Sequence, residues 1–305
     1  VVEVAVKSRA IFESTGKGVF LSCAALSALS VLFITVFVFQ EGLPLFFRSV
    51  DGNTPPSVAE FLFGTEWYPI GNPPDLGIAP FIVASLMVTA GALLMAVPIG
   101  VSVGVFIAEV ATGKWRGILR SATEVLAGIP SVVYGFFGVM MIGFFLRNIP
   151  DPLVNYNAFS AMGILAVMTL PTIINITEVS VRSVPREYAE ASIALGSTHW
   201  QTISRVLVPG ARRGIITGVL LGTGRAVGET LAVLMVAGNQ PTLPTEGVYS
   251  RVRTLTMAII NDMGYAAGDH RVALFTIAIV LFMFIMLINT VVQIIMHRSR
   301  MRLGS

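Results

Sequence analysis

Two side chains carry the strongest chemical signal in the sequence, and both sit where charge is costly. Arg225 and Glu229 fall inside a long apolar, glycine-rich run, within Gly224-Arg225-Ala226-Val227-Gly228-Glu229-Thr230. At the centre of a membrane each such charge costs about 2.5–3.5 kcal/mol on insertion scales, so both need partners or a watery cavity. A spacing of i, i+4 on a helix would put them one turn apart on one face, within reach of each other. Two chemistries are open to such a pair. It can be a buried ion pair that fixes helix packing. Alternatively, Arg225 can offer its planar fork of donors to a tetrahedral oxyanion, with Glu229 holding it when the path is empty.

Weaker signals lie around this pair. Glu178 and Arg182 repeat the i, i+4 spacing at the end of another apolar run, where Arg182 can meet an anion at an inner mouth. An arginine there also serves as an ordinary snorkelling side chain. Ser131 and Tyr134 follow Pro130 as isolated polar residues that can line a path. His199, His270 and His297 show no metal-ligand spacing, and the lone Cys23 in an apolar run is expected to be a small packed side chain. A phosphate-cradling Gly-x-x-x-x-Gly-Lys-Ser/Thr loop is absent, and Gly16-Lys17-Gly18 lacks its spacing. No catalytic triad, zinc motif or haem motif is visible, so the chain is not expected to be an enzyme.

The elements that must position these residues follow from composition. Of 305 residues, 54% are hydrophobic and 12% are charged, about half the charge of a soluble domain. That leaves too little polar material for a water-exposed surface and implies an all-α integral membrane protein. Runs long enough to span a ~30 Å hydrocarbon core lie at 19–39, 78–108, 125–146, 158–177, 214–237 and 272–296. These predict about six transmembrane helices, the second tilted or kinked at Pro98. The first is too long for a signal peptide, and Gln40-Glu41-Gly42-Leu43-Pro44 is a poor cleavage context. Gly210, Gly214, Gly218 and Gly222 form a small-residue stripe on the fifth span, inviting close approach of another helix.

Charge placement gives an orientation. With the N-terminus inside, fourteen Lys and Arg side chains, from Lys7 to Arg302, fall on inner segments. Only Arg48, Arg147, Arg251, Arg253 and Arg271 fall outside, so the positive-inside rule places both termini in the cytoplasm. The same placement at span ends, without interleaved aromatics, argues against nucleic-acid binding despite a net charge of +3. The expected organisation is an inner segment 1–18, a transmembrane domain 19–296 containing an inner loop 178–213, and an inner tail 297–305. Outer segments 40–77, with a short amphipathic helix over 57–63, and 239–271 are polar enough to meet an external partner. Leu303-Gly304-Ser305 has the look of an appended scar.

The 178–213 loop is long for a compact bundle, and loops of that kind tend to be functional. Pro185 suits a first helical turn, alanines and glutamates favour helix, and Gly196 offers a stop. A second short helix from Thr198 to Val206 is expected to end before Pro209. Physical grounds leave open a partnerless surface hairpin or a docking element.

Glu190-Ala191-Ser192, Gly196 and Val206-Leu207-Val208-Pro209 resemble the EAA loop of bacterial ABC importer permeases, whose pattern is Glu-Ala-Ala, three residues, Gly, nine residues and Ile-x-Leu-Pro. The spacing matches throughout, with Ser192, Val206 and Val208 as mild departures. Leu126-Ala127-Gly128-Ile129-Pro130-Ser131 and the Arg225–Glu229 segment resemble phosphate permeases. Gly64-Thr65-Glu66-Trp67-Tyr68-Pro69 and Gly238-Asn239 look more like the PstC type than the PstA type. The resemblance implies a type I ABC importer permease fold in a bacterial inner membrane, with Arg225, Glu229, Arg182 and Ser131 on the substrate path. It implies that Glu190, Ala191, Ser192, Gly196 and Pro209 couple to an ATPase. It further implies a PstA-like second permease, two PstB-like ATP-binding subunits holding ATP and magnesium, and an external PstS-like phosphate-binding protein. A sulfate or molybdate permease also matches the Arg-Ala-x-Gly-Glu segment. A self-sufficient channel or secondary transporter is a different class, and it would leave the loop without a purpose.

Overall fold

The computed structural model describes residues 2–48, 54–145 and 156–301. Arg147 and the stretch from Arg302 to Ser305 lie outside the described residues. Among the described residues, four helices are long and apolar enough to cross a membrane: Gly16–Phe46, Ala79–Val110, Ala158–Arg182 and Gly268–Thr290. The first belongs to α1 (Val2–Gly42) with its short continuation Leu43–Phe46; the others correspond to α3 (Ala79–Val105) with a π turn Phe106–Val110, α6 (Ala158–Arg182) and α12 (Gly268–Met301). Pro98 does not interrupt α3.

Two of the six expected spans are broken. The run at 125–146 divides between α4 (Gly113–Gly128) and α5 (Ser131–Phe145), which meet at a bend of 97°. Proline explains the break: Pro130 has no N–H to give, and the residue before it is pushed out of helical backbone. Ile129 accordingly sits at ψ 128°. The run at 214–237 divides between α9 (Val208–Gly228) and α10 (Leu231–Val236), with Glu229 extended between them at ψ 130°. By length and composition the described residues thus hold four uninterrupted spans, or five if the bent pair counts as one span.

Three helices form the centre. On α3, small residues recur every fourth position, Ala84, Val88, Ala92, Ala96, Gly100 and Gly104, and all are buried. That stripe faces α6: side chains built on Gly100 and Gly104 would collide with Ile173 and Thr177. The glycine stripe of α9 meets an adjoining part of the same side of α6 in reverse order, with Ile173 touching both stripes. Gly210 approaches Val184, Gly214 approaches Ser180, Gly218 approaches Ile176 and Gly222 approaches Ile173. The close approach expected from the glycine spacing is therefore realised, with the small-residue faces of α3 and α9 both packed on the Ile173 side of α6. α1 leans on α12 through edge-to-face rings, Phe37 with Phe275 and Phe39 with Phe282, and through Thr276 Oγ1 donating to the Gly42 carbonyl at 2.8 Å. Cys23 is exposed on α1 and does not pack as expected.

One end of the molecule carries its own apolar layer, joining Leu45, Phe61, Trp67, Ile78, Phe81, Leu255 and Leu274. The expected helix at 57–63 is α2 (Val58–Phe63), with Ser57 and Glu60 forming a reciprocal capping box. A two-residue antiparallel ribbon, β1 (Trp67–Tyr68) with β2 (Asp75–Leu76), is the small exception to an otherwise helical chain. Asp262, at the end of α11 (Leu255–Asp262), holds this layer together. It accepts hydrogen bonds from Trp67 Nε1 at 3.2 Å, Arg253 at 3.3 Å, Tyr265 at 2.7 Å and Asn261 at 2.9 Å. The other end holds the basic residues Arg116, Arg182, Arg186 and Arg205, and is called the basic end below.

Candidate functional site

Arg225 lies half-buried in the last turn of α9, beside the middle of α6. Its Nη1 donates to Thr172 Oγ1 at 3.4 Å, a long bond, and Thr172 is its one hydrogen-bond partner among the described residues. Four of the five N–H donors of the guanidinium are thereby free for another acceptor. Next along the same face of α6, Asn175 shares a hydrogen bond of 3.2 Å with Thr123 of α4. Tyr134 stands across the 97° bend, donating to the Leu126 carbonyl at 2.7 Å, and its ring packs on Met168 and Ala232. The result is a polar seam of Thr123, Thr172, Asn175 and Arg225, bounded by two helix breaks.

The expected Arg225–Glu229 ion pair is not formed. An i, i+4 face needs continuous helix, and α9 stops at Gly228. Glu229 turns the other way, and its Oε1 accepts from the Ala232 N–H at 3.3 Å, at the start of α10. A carboxylate suits a helix N-terminus, where unpaired N–H groups and the dipole favour negative charge. Tyr134, expected as a polar residue that can line a path, is buried and gives its hydroxyl to the bend's own backbone. Ser131 opens α5 directly after the bend and is half-buried.

Arg182 belongs to a different place. It pairs with Glu178 at 3.4 Å as its spacing predicts, Glu178 being buried and Arg182 partly exposed. Ten residues of α6 separate it from Thr172, about 15 Å at 1.5 Å per residue. Arg182 lines a cavity of about 280 Å³ at the basic end, with Arg116, Glu109, Glu190 and His199.

Beside that cavity stands the 178–213 loop. α7 (Arg186–Ala194) ends at Gly196, which takes a left-handed φ of +86° that a side chain would oppose. Thr198 and Gln201 form a capping box for α8 (His199–Thr202). From there the chain does not stop before Pro209. A π turn, Ile203–Leu207, carries it directly into α9, where Pro209 occupies the first turn and needs no N–H partner. Ser192 is buried, and its hydroxyl is 3.0 Å from that of Thr202, so the departure from alanine in the motif is matched by a partner ten residues on. Outside, Tyr188, Ile193, Leu195 and Trp200 are all more than half exposed. Large apolar side chains gathered on a polar loop mark an interaction surface.

The seam's other members, Thr123, Thr172 and Asn175, were missed at the level of sequence. Their signal was polarity inside apolar runs at helical spacing, Thr172 and Asn175 being three residues apart.

Comparison with known proteins gives this arrangement a family. Residues 100–304 match the model of "Binding-protein-dependent transport system inner membrane component", about two thirds of the chain. A "Probable ABC transporter permease protein YqgH" of Bacillus subtilis is 37% identical over 290 residues, covering 93% of this chain and 92% of its own. A "Phosphate transport system permease protein PstC" of Mesorhizobium japonicum is 31% identical over 80% of each chain. Among solved structures, a bacterial alginate ABC transporter overlays 90% of this chain at TM-score 0.64 and 14% identity, and the MetNI methionine ABC transporter overlays 72% at TM-score 0.58 and 19% identity. At those identities the likeness is one of fold.

Proposed function

We propose that this chain, which belongs to the family of binding-protein-dependent transport system inner membrane components, is the membrane-spanning permease subunit of an ATP-driven phosphate importer. Relatives named as phosphate transport system permeases, aligned over most of the chain, support the substrate. The observation that carries the mechanism is Arg225, held by a single long hydrogen bond in a polar seam between two helix breaks. A half-buried guanidinium with unused donors can take a phosphate oxygen pair in its planar fork. The threonine hydroxyls and the Asn175 amide supply weaker contacts that an oxyanion can exchange during passage.

One such chain supplies half of a pathway, and a PstA-like second permease supplies the other half. ATP and magnesium sit on two PstB-like subunits, not on this chain. Their closure engages the exposed Tyr188, Ile193, Leu195 and Trp200 surface, with Glu190, Ala191, Ser192 and Gly196 setting its shape. A PstS-like protein delivers phosphate to the opposite face, built on the Trp67–Asp262 layer. In this orientation the basic end and both termini are cytoplasmic, as the charge bias favours.

The test is phosphate uptake by proteoliposomes holding the whole complex, with sulfate, molybdate and arsenate as competitors. Arg225→Ala and Arg225→Lys are expected to lose uptake by a factor of a hundred or so, about 2.7 kcal/mol, as a deleted transition-state donor does, while the complex still assembles. Normal uptake by Arg225→Ala would remove Arg225 from the path. Sulfate transport in place of phosphate would reassign the substrate.

A further inference from the structure

We infer that Arg116 is the positioning residue that locks the start of α4 to the end of α3, whose last turn is packed into the coupling loop, so that α4 moves with that block when the ATPases close; this rests on the permease reading above. Arg116 sits in the first turn of α4, just past the π turn that ends α3. Its Nε donates to the Ile107 carbonyl at 3.0 Å and its Nη2 to the Ala108 carbonyl at 2.6 Å. Those carbonyls belong to the last turn of a helix, where no intrahelical N–H remains to satisfy them. A guanidinium is suited to the task because its fork bridges two acceptors at once, which an ammonium cannot do in the same plane. Arg116 is therefore engaged with the backbone instead of facing water like Arg120, whose pairing with Glu124 is more than half exposed on both sides.

The turn that Arg116 holds is packed into the coupling loop. Val105 and Ala108 share one apolar cluster with Val181 of α6, with Ile203 and Leu207 of the second π turn, and with Ala211 of α9; Val184 and Ala189 border it. Two π turns thus flank a single cluster, one leaving α3 and one entering α9. π turns inside long helices are uncommon and recur at functional positions. Here each marks the place where a membrane helix joins the basic-end unit. Beside them the 280 Å³ cavity has both Arg116 and Glu190 on its walls.

The consequence is a route for the stroke. A displacement of α7 and α8 carries the Ile203–Leu207 turn, the shared cluster with the α3 end in it and, through the Arg116 clamp, the start of α4. α3 is meshed along its small-residue stripe with α6, which carries Thr172 and Asn175. The physical content is a pair of packed elements that switch together, as discrete packing allows.

Two measurements test this on the complete complex. The first is the ratio of phosphate moved to ATP hydrolysed in Arg116→Ala and Arg116→Lys, with Arg120→Ala as the control. The ratio is expected to fall a few-fold to about thirtyfold in Arg116→Ala, less in Arg116→Lys, and not at all in Arg120→Ala, while ATP hydrolysis continues. Transport and hydrolysis falling together would assign Arg116 a merely structural role and overturn the proposal. The second needs no change at Arg116. Spin labels at Lys114→Cys and Arg205→Cys, in a Cys23→Ser background, report the distance across the block with and without trapped ATP. A constant distance is expected; a shift of several ångströms would show that the two parts slide and would sink the idea. If wild-type uptake needs no ATP at all, it is the permease reading that fails.

Discussion

Glu229 Oε1 accepts a hydrogen bond from the Ala232 N–H at 3.3 Å, so the glutamate serves the helix after the break and leaves Arg225 before the break to Thr172. Two charges that would face each other on a straight helix are turned apart because the helix ends at Gly228 and Glu229 itself is extended. In the proposed mechanism this separation leaves the guanidinium available for an anion.

Glu229→Gln keeps an acceptor oxygen, and Glu229→Ala does not. Gln at 229 is expected to retain assembly and most uptake, because the cap on α10 survives. Ala is expected to destabilise the α10 start by about 0.5–2 kcal/mol and to reduce uptake with it. Thermal unfolding of the detergent-solubilised complex, alongside uptake, decides this. Equal loss in both variants would mean that the negative charge, and not the cap, is what matters.

The glycine faces of α9 and α6 make a prediction with a built-in rescue. A methyl on Gly214 would overlap Ser180. Gly214→Ala is expected to cost about 1–3 kcal/mol by forcing the helices apart. Adding Ser180→Gly makes room and should recover much of it, losing only the bond from Ser180 Oγ to the Ile176 carbonyl. Expression and melting temperature of the single and double variants measure it; a double variant no better than Gly214→Ala would place the strain elsewhere.

Why some of this was legible in the sequence and some was not follows from range. The glycine stripe, the capped α2 and the coupling loop depend on neighbours within a few residues, and spacing shows them. Arg225 was visible because a charge in an apolar run is unusual. The break at Glu229 was hidden because glutamate favours helix and the apolar run continues past it; Gly228 and Thr230 on either side were the only local hint. Thr123–Asn175 joins residues 52 apart and Trp67–Asp262 joins residues 195 apart, and nothing in either segment names its partner.

The Asp262 hub gives a pH dependence with a definite sign. Burial pushes its carboxyl up, but hydrogen bonds from Tyr265 and Asn261, the charge of Arg253 and the Trp67 bond together outweigh it and hold the carboxyl below its ordinary value. A lowered folded value means the stabilisation is fully present above the unfolded value of about 3.9 and is lost as pH falls through the lower folded one. The layer should therefore survive mild acid and loosen only below the ordinary carboxylate range. Trp67 emission, read in a Trp115→Phe, Trp200→Phe background, should stay blue until then. Asp262→Asn leaves Arg253 without its countercharge and should cost about 3–5 kcal/mol, with the red shift present at neutral pH. A loosening centred near neutrality would place control of the layer in another group.

Ser192 and Thr202 supply a double-mutant cycle inside the coupling loop. Their hydroxyls are 3.0 Å apart in a buried contact that fastens α7 to α8 across the Gly196 turn. Ser192→Ala brings the loop to the family's own Glu-Ala-Ala pattern, yet it strands the Thr202 hydroxyl, and Thr202→Val does the reverse. Each single change is expected to cost about 1–3 kcal/mol, the desolvation penalty of an unmet polar group, while removing both partners together should be nearly neutral. Hydrogen exchange of the α7 and α8 amides and ATPase stimulation by phosphate-loaded binding protein should both follow that order. Additive losses in the double variant would mean the two hydroxyls act separately, and that the loop's shape rests on the Gly196 turn and the apolar cluster alone.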